Sequence, residues 1–512
     1  MRWTCKARSG NVRFRMGSGT SRATRGIVRL AAHVKGGYYL RREVLPMSQA
    51  NGLNRRAFLR NAGLTALAGA TAGTGSPLIA STPAATGYQP TNGKFDFETP
   101  YNRFGTDSTK FDQQIRNYGK DSVRVGMGIA DIDFKAAPSI TNAINARVKH
   151  ENWGYLDMGK WTPQMQEAVA AWNKRHYGVT IDPATMVLSN GVHPALIAAL
   201  VTFSPKGSKV LLQTPTYNGF YSDLTASQTK AEESPLKFVN GKFEMDFDDF
   251  ERRISYDTHT FILCNPQNPT GNCWSQADLM RIGDICLKHR VIVLADEIHC
   301  DWVGKGQKYT PFASLPNKAV VDNSITFKAA SKSFGLAAHK TAWYYSTNPE
   351  LMARVRPNHR ADLNTLGMVA NYAAVTEGEE WLRQANEYVD GTHDFVVSFV
   401  HDKIPLIKVH RAEGTYLTWL DVTGVAERIN SKKLRDDYNR TKPANMPSLT
   451  AEQMVERFFV KTAKVHLNQG ASYGKGGENH MRMNIGTSRK LVELALTSMA
   501  NACRNPIATD LF

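Results

Sequence analysis

The stretch SITFKAASKSFGLAAHKTAW, residues 324–343, sets three lysines, Lys328, Lys332 and Lys340, at and just beyond a short β-branched run. Such a cluster suits either a solvated loop or a covalent lysine with neighbouring cations that hold an anion beside it. Three other stretches bear on the choice. In LSNGVHPAL, Gly191 permits a tight turn and Val192-His193 open a helix. Free N–H groups at such a start face an anion such as a phosphate. In NPQNPTG (265–271), Pro266 and Pro269 hold the residues before them extended, which fixes the Asn268 amide as a donor to a phenolate or carbonyl oxygen. In ADEIHCD (295–301), an apolar run ends on Asp296 and Glu297, with His299 close behind. A carboxylate at the end of a buried strand is costly unless paired. Asp296 could hold a protonated ring nitrogen through a charge-assisted bond. A divalent metal would use the same acids, yet no clear companion ligands stand at helical spacing.

These residues need a scaffold, and the pattern from residue 180 onward supplies one. TMVLSNGVHPALIAALVTF reads strand, glycine turn, helix, and SKVLLQTPTY, HTFILCNPQNPTG, RVIVLADEIHCD and SITFKAASK each read as a buried strand ending in a polar or Pro-rich loop. SQADLMRIGDICLKH has helical spacing of Leu279, Ile282, Ile285 and Cys286. Strands alternating with helices imply an α/β fold with a mostly parallel sheet, whose ligands sit at the carboxyl ends of the strands. Every loop named above falls at such an end. Past residue 390 a helix in DGTHDFVVSFVHDKI, the strand pair GTYLTWLDV and HMRMNIGT, and terminal helices suggest a smaller α+β domain. The expected division is an N-terminal arm over 94–140 that joins the small domain, a large domain over 141–390, and a small C-terminal domain over 391–512.

A phosphate-binding helix start, an amide for a ring oxygen, an acid for a ring nitrogen and a lysine for an aldehyde together describe a pyridoxal 5'-phosphate site. The order Gly191, Tyr217, NPTG, DE-H, SK is collinear with the aminotransferase class I/II family, and from Phe95 to the end the chain resembles these fold-type-I pyridoxal enzymes. The resemblance implies that Lys332, in ASKSFG, takes the cofactor aldehyde and acts as the catalytic base. It implies that Tyr217 stacks on the pyridine face, that Asp296 holds the ring nitrogen, and that Asn268 and His299 attend the ring oxygen. Gly191, Val192, Ser331 and Lys340 would hold the phosphate. Tyr155, in WGYLD, would reach the phosphate of a neighbouring subunit, which implies a homodimer with shared active sites. Arg482, in HMRMNIGTS, would grip the substrate α-carboxylate from two points. Family members often carry Ser or Thr where this chain has Ala329 and Ala330, and an arginine where it has Lys340. Lys328 is expected to face solvent.

Within the family, FDFETPYNRFGTDSTKFD, ADIDF, DEIH and SKSF look most like the MalY/PatB-like subgroup of cystathionine β-lyase-like C–S lyases. The resemblance implies cleavage of a cystathionine-like amino acid to a thiol, pyruvate and ammonia. The alternative is an aminotransferase, which shares the same carbanion but returns the proton to the cofactor carbon. The aromatic that commonly precedes the ADMDF motif in this subgroup is replaced here by Gly128-Ile129.

The net charge of +17 would by itself suggest a nucleic-acid partner, but its distribution argues against one. Residues 1–46 hold eleven Lys/Arg against Glu43 alone, and the remainder past Lys94 is close to balance. None of the six cysteines forms a C-x-x-C pair, so isolated buried thiols are expected. No apolar run is long enough to span a membrane. NRRAFLRNAGLTALAGATAGTGSPLIASTPAAT (54–86) resembles a twin-arginine export signal with Arg55 and Arg56 as its pair. It implies a periplasmic or extracytoplasmic enzyme exported already folded. Residues 1–46 are expected to be a disordered basic leader or upstream read-through, and 47–93 the signal region and linker.

Overall fold

The computed structural model describes residues 90–505; the leader 1–46 and the twin-arginine stretch 54–86 lie outside the described residues. Seven strands form the main sheet: β1 (Val187–Ser189), β2 (Lys209–Thr214), β3 (Lys230–Pro235), β4 (Thr258–Cys264), β5 (Ile292–Asp296), β6 (Ser324–Lys328) and β7 (Ala342–Tyr345). Their order is β1-β7-β6-β5-β4-β2-β3. All neighbours are parallel except those of β7, which runs against both β1 and β6. The central strands THTFILC and IVLAD are buried on both faces, as a parallel sheet covered by helices requires.

The helices that matter for the site are α1 (Met158–Tyr177), α2 (Val192–Phe203), α3 (Gly219–Ser227), α4 (Gln276–Lys288), α5 (Ala330–Ser333) and α6 (Glu379–Lys403). Helix α4 begins in a capping box between Ser275 and Asp278, which satisfies its first amides from within. Helix α2 has no such cap. Its N-cap is Gly191 at φ 152°, with no side-chain hydrogen bond. That conformation suits a residue without Cβ, and it leaves the first amides of α2 facing outward.

Register sets the ends of the strands. Cys264 pairs with Asp296 and Asp296 with Phe327, so the NPQNPTG loop, the acid and the lysine stretch leave the sheet along one edge. A second, antiparallel sheet follows: β8 (Lys408–Val409), β9 (Leu417–Asp421), β10 (Asn468–Gln469) and β11 (His480–Asn484), in the order β8-β9-β11-β10. The two strands anticipated there pair with Trp419 opposite Arg482. Helix α6 is continuous through residue 390. After a short helix at Asp112–Tyr118, Val125–Gly126 pairs parallel with Val465–His466, just ahead of β10, in a separate two-stranded sheet. Asn484 Nδ2 donates to the carbonyls of Ile129 and Asp131, both at 2.6 Å, and buried Lys110 holds Asp133 at 2.6 Å. This clamps GMGIADIDF beside the carboxyl edge of the main sheet. The five described cysteines are free thiols, four of them buried.

Candidate active site

A cavity of about 640 Å³ opens at that edge, and Gly191, Val192, Tyr217, Asn268, Asp296, His299, Ser331, Lys332 and Lys340 all line it. Residues separated by more than a hundred positions meet because strand ends, not neighbouring sequence, build the site. Tyr155 is elsewhere, fully exposed on the surface of this chain.

Lys332 projects from the short helix α5. Its Nζ donates to the Ala130 carbonyl at 2.7 Å, and Tyr416 donates its hydroxyl to the same oxygen at 3.1 Å. Burial of the amine, helped by the Arg482 guanidinium, lowers its pKa to about 8, against the weaker opposing pull of Asp131 and Asp296. The neutral, nucleophilic fraction of the amine near physiological pH is therefore a minority, but far larger than for an ordinary lysine. The backbone of Lys332 is fixed by Trp302, whose Nε1 donates to its carbonyl at 2.8 Å, and by the bond from the Ser333 hydroxyl to Asp301.

Asp296 ends β5 almost fully buried. Among the described residues its carboxylate accepts one hydrogen bond, from the Ile298 amide at 3.2 Å, and no cation lies within ion-pair distance. Burial accordingly raises its pKa to about 7. His299 is buried and pushed well below the ordinary histidine range by burial and by the cations Lys332 and Arg482. It is a neutral imidazole, and its Nδ1 has no hydrogen-bond partner. Arg482, from β11, donates Nη1 to Asn268 Oδ1 at 3.1 Å and Nη2 to the Gly128 carbonyl at 2.7 Å. Its Nε is buried without a partner.

These unanswered groups test what the cavity fits. A carboxylate with no cation suits a protonated ring nitrogen, an unpartnered neutral imidazole suits a ring oxygen, and a partly neutral amine suits an aldehyde. Uncapped amides at the start of α2, with Lys340, suit a phosphate. The donor set fits pyridoxal phosphate.

Lys328 requires correction. It does not face solvent: it is 2% exposed, donates to Asn173 Oδ1 at 2.9 Å and stands 4.0 Å from Glu297 Oε2. Its side chain leaves the end of β6 away from the cavity, toward α1 and Tyr309, where the buried Glu297 carboxylate needs a cation. Sequence reasoning also passed over His193 and Asp223. His193 lines the cavity and its Nδ1 is bonded to both oxygens of Asp223 at 2.8 Å. The pair had one visible sign, a histidine two residues after Gly191 in the first turn of the helix.

The family model for aminotransferase class I and II matches residues 123–499, and the chain belongs to that family. It is 32% identical over 398 residues to the cystathionine beta-lyase PatB of Bacillus subtilis, covering 77% of this chain and 96% of that protein. The protein MalY of Escherichia coli is 26% identical over 417 residues, covering 80% and 99%. Among solved structures, the pyridoxal-phosphate-bound C-S lyase of Staphylococcus hominis superposes with a TM-score of 0.69 at 27% identity, covering 80% of this chain and 100% of that one.

Proposed function

We propose that this protein is a pyridoxal 5'-phosphate-dependent carbon–sulfur β-lyase that converts cystathionine-like amino acids to a thiol, pyruvate and ammonia. The observation that carries the reading is the opposition, in one cavity, of an amine lowered to about 8 at Lys332 and a carboxylate without a cation at Asp296. The likeness to curated and solved C–S lyases supports the choice of reaction.

When bound, the cofactor supplies an aldehyde for the amino group and a protonated ring that draws electrons from Cα. Asp296 would hold the ring nitrogen in its protonated form, since a cation beside the buried carboxyl favours the carboxylate. Asn268 and His299 would hold the ring oxygen, and Tyr217 would cover the ring face. The amides of Gly191 and Val192, with Ser331 and Lys340, would hold the phosphate. Arg482 binds the α-carboxylate and so aligns the Cα–H bond with Lys332. Lys332 Nζ would remove that proton; as the Cα–Cβ double bond forms, the carbon–sulfur bond breaks with its electron pair leaving on sulfur, and the released 2-aminoacrylate takes up one water to give pyruvate and ammonia. Tyr155 serves the site of a second copy in a homodimer, and the Arg55-Arg56 signal directs the folded enzyme out of the cytoplasm.

The test is to incubate the yellow enzyme with cystathionine, and separately with an amino acid plus a 2-oxo acid. Pyruvate and free thiol without an added acceptor are expected. Amino-group exchange with no pyruvate would overturn the lyase in favour of a transaminase. Export is tested by Arg55→Lys with Arg56→Lys, which should retain the protein in the cytoplasm.

A further inference from the structure

The His193–Asp223 pair takes no part in the reaction described above, although it stands on the cofactor cavity. We propose that His193, backed by Asp223, is a cation for the cofactor phosphate at the start of α2, an inference that rests on the pyridoxal phosphate reading.

The cradle for a dianion is otherwise thin. The opening of α2 contributes the amides of Gly191, Val192 and His193, but Pro194 has none to give. Ala329 and Ala330 carry no hydroxyl, which leaves Ser331 as the one hydroxyl of that turn on the cavity. Lys340 is exposed, a solvated point charge on a flexible stem. His193 differs from it in being fixed. Its Nδ1 is locked between both Asp223 oxygens at 2.8 Å, and the Asp223 side chain is 3% exposed while that of His193 is 45% exposed. The open edge, with Nε2, faces the cavity, 3.3 Å from the Tyr217 hydroxyl. A buried carboxylate behind an imidazole fixes its orientation and favours its charged form, leaving Nε2–H as a donor to an anion in front.

The charged and titratable groups facing the ring are Asp223 on α3, Tyr217 before it, Asp296 at the end of β5 and Lys332 on α5. The bond to Asp223 is the largest influence, and the balance raises the histidine above its usual range despite burial and Lys332. A raised histidine is a cation below its folded pKa, so its hold on the phosphate is present below that pKa and lost as the pH rises through it.

The experiment measures the dissociation constants of pyridoxal phosphate and of phosphate-free pyridoxal by absorbance, for the wild type, His193→Gln and Asp223→Asn. Comparing variants with wild type at each pH cancels the contribution of Lys332. At about pH 7, His193→Gln should weaken pyridoxal phosphate by roughly ten- to a hundredfold and leave pyridoxal unchanged. The deficit should shrink toward none as the pH rises. Asp223→Asn should show the same phosphate-selective loss, recovered at lower pH where the unassisted imidazole is protonated. It also serves where His193→Gln does not fold. Equal losses for both ligands would mean that His193 acts only through Tyr217, and no loss would mean that it holds nothing; either overturns the proposal. A wild type that binds no pyridoxal phosphate would instead sink the cofactor reading.

Discussion

Replacing Lys328 by methionine tests how far the site rests on a charge buried behind it. Lys328 ends β6 and Glu297 directly follows β5, the two strands that deliver Lys332 and Asp296. Glu297 is fully buried; it accepts from the Phe312 amide at 2.7 Å and from the Tyr309 hydroxyl. Burial raises its pKa, and Lys328 is the largest influence working against that rise. Methionine keeps most of the volume of lysine, so the change isolates charge. Removing one partner of a buried pair costs about 3–5 kcal/mol, whereas neutralising both is often close to neutral. With the ammonium 4.0 Å away and better bonded to Asn173, the lower end applies. Lys328→Met should lose about 3 kcal/mol of unfolding free energy, and Lys328→Met with Glu297→Gln should recover most of it.

The sign with pH follows from linkage. Without Lys328 the folded-state pKa of Glu297 climbs further above its unfolded value. The deficit is absent where the carboxyl is protonated in both states, and it grows as the pH rises through the folded pKa. Urea unfolding followed by tryptophan fluorescence, at about pH 5 and about pH 8, measures both effects. A deficit independent of pH, or a double variant no better than the single one, would mean that the unpaired Glu297 charge is not the source of the loss.

Lys332 should be modified by an amine reagent in the cofactor-free protein with a midpoint at about 8, read by peptide mass spectrometry; labelling that rises only in the ordinary lysine range, about 10.4, rejects the assignment. Lys332→Ala should abolish turnover and the yellow absorbance. Arg482→Lys loses the planar two-point grip, so KM should rise by roughly ten- to a hundredfold, measured by steady-state kinetics. In Gly128→Ala, the new Cβ would stand 2.5 Å from His466 Cε1. The strain should cost about 1–3 kcal/mol and raise KM by displacing the carbonyl that holds Arg482; adding His466→Ala should restore stability if that contact is the cause.

The parallel sheet and the loops at its edge were legible because each strand signal ran straight into a residue that lines the cavity. LADE, NPQNPTG and ASKSFG carry both the burial pattern and the chemistry, and the sheet brings such ends together whatever the details of packing. Lys328 and His193 were not legible for one shared reason. Their environments come from Glu297, Asn173 and Asp223, partners on other elements, and no local pattern announces such a meeting. Arg482 lies between: its strand was readable, but not its bonds to Asn268 and Gly128.

Residue order alone thus settled which loops reach the carboxyl edge, because strand and loop propensities act over a few neighbours. Whether a cation there is solvated, paired or poised as a free amine was left to the packed chain. Charge states depend on burial and on partners within a few ångströms, and those distances exist only after distant segments have closed together.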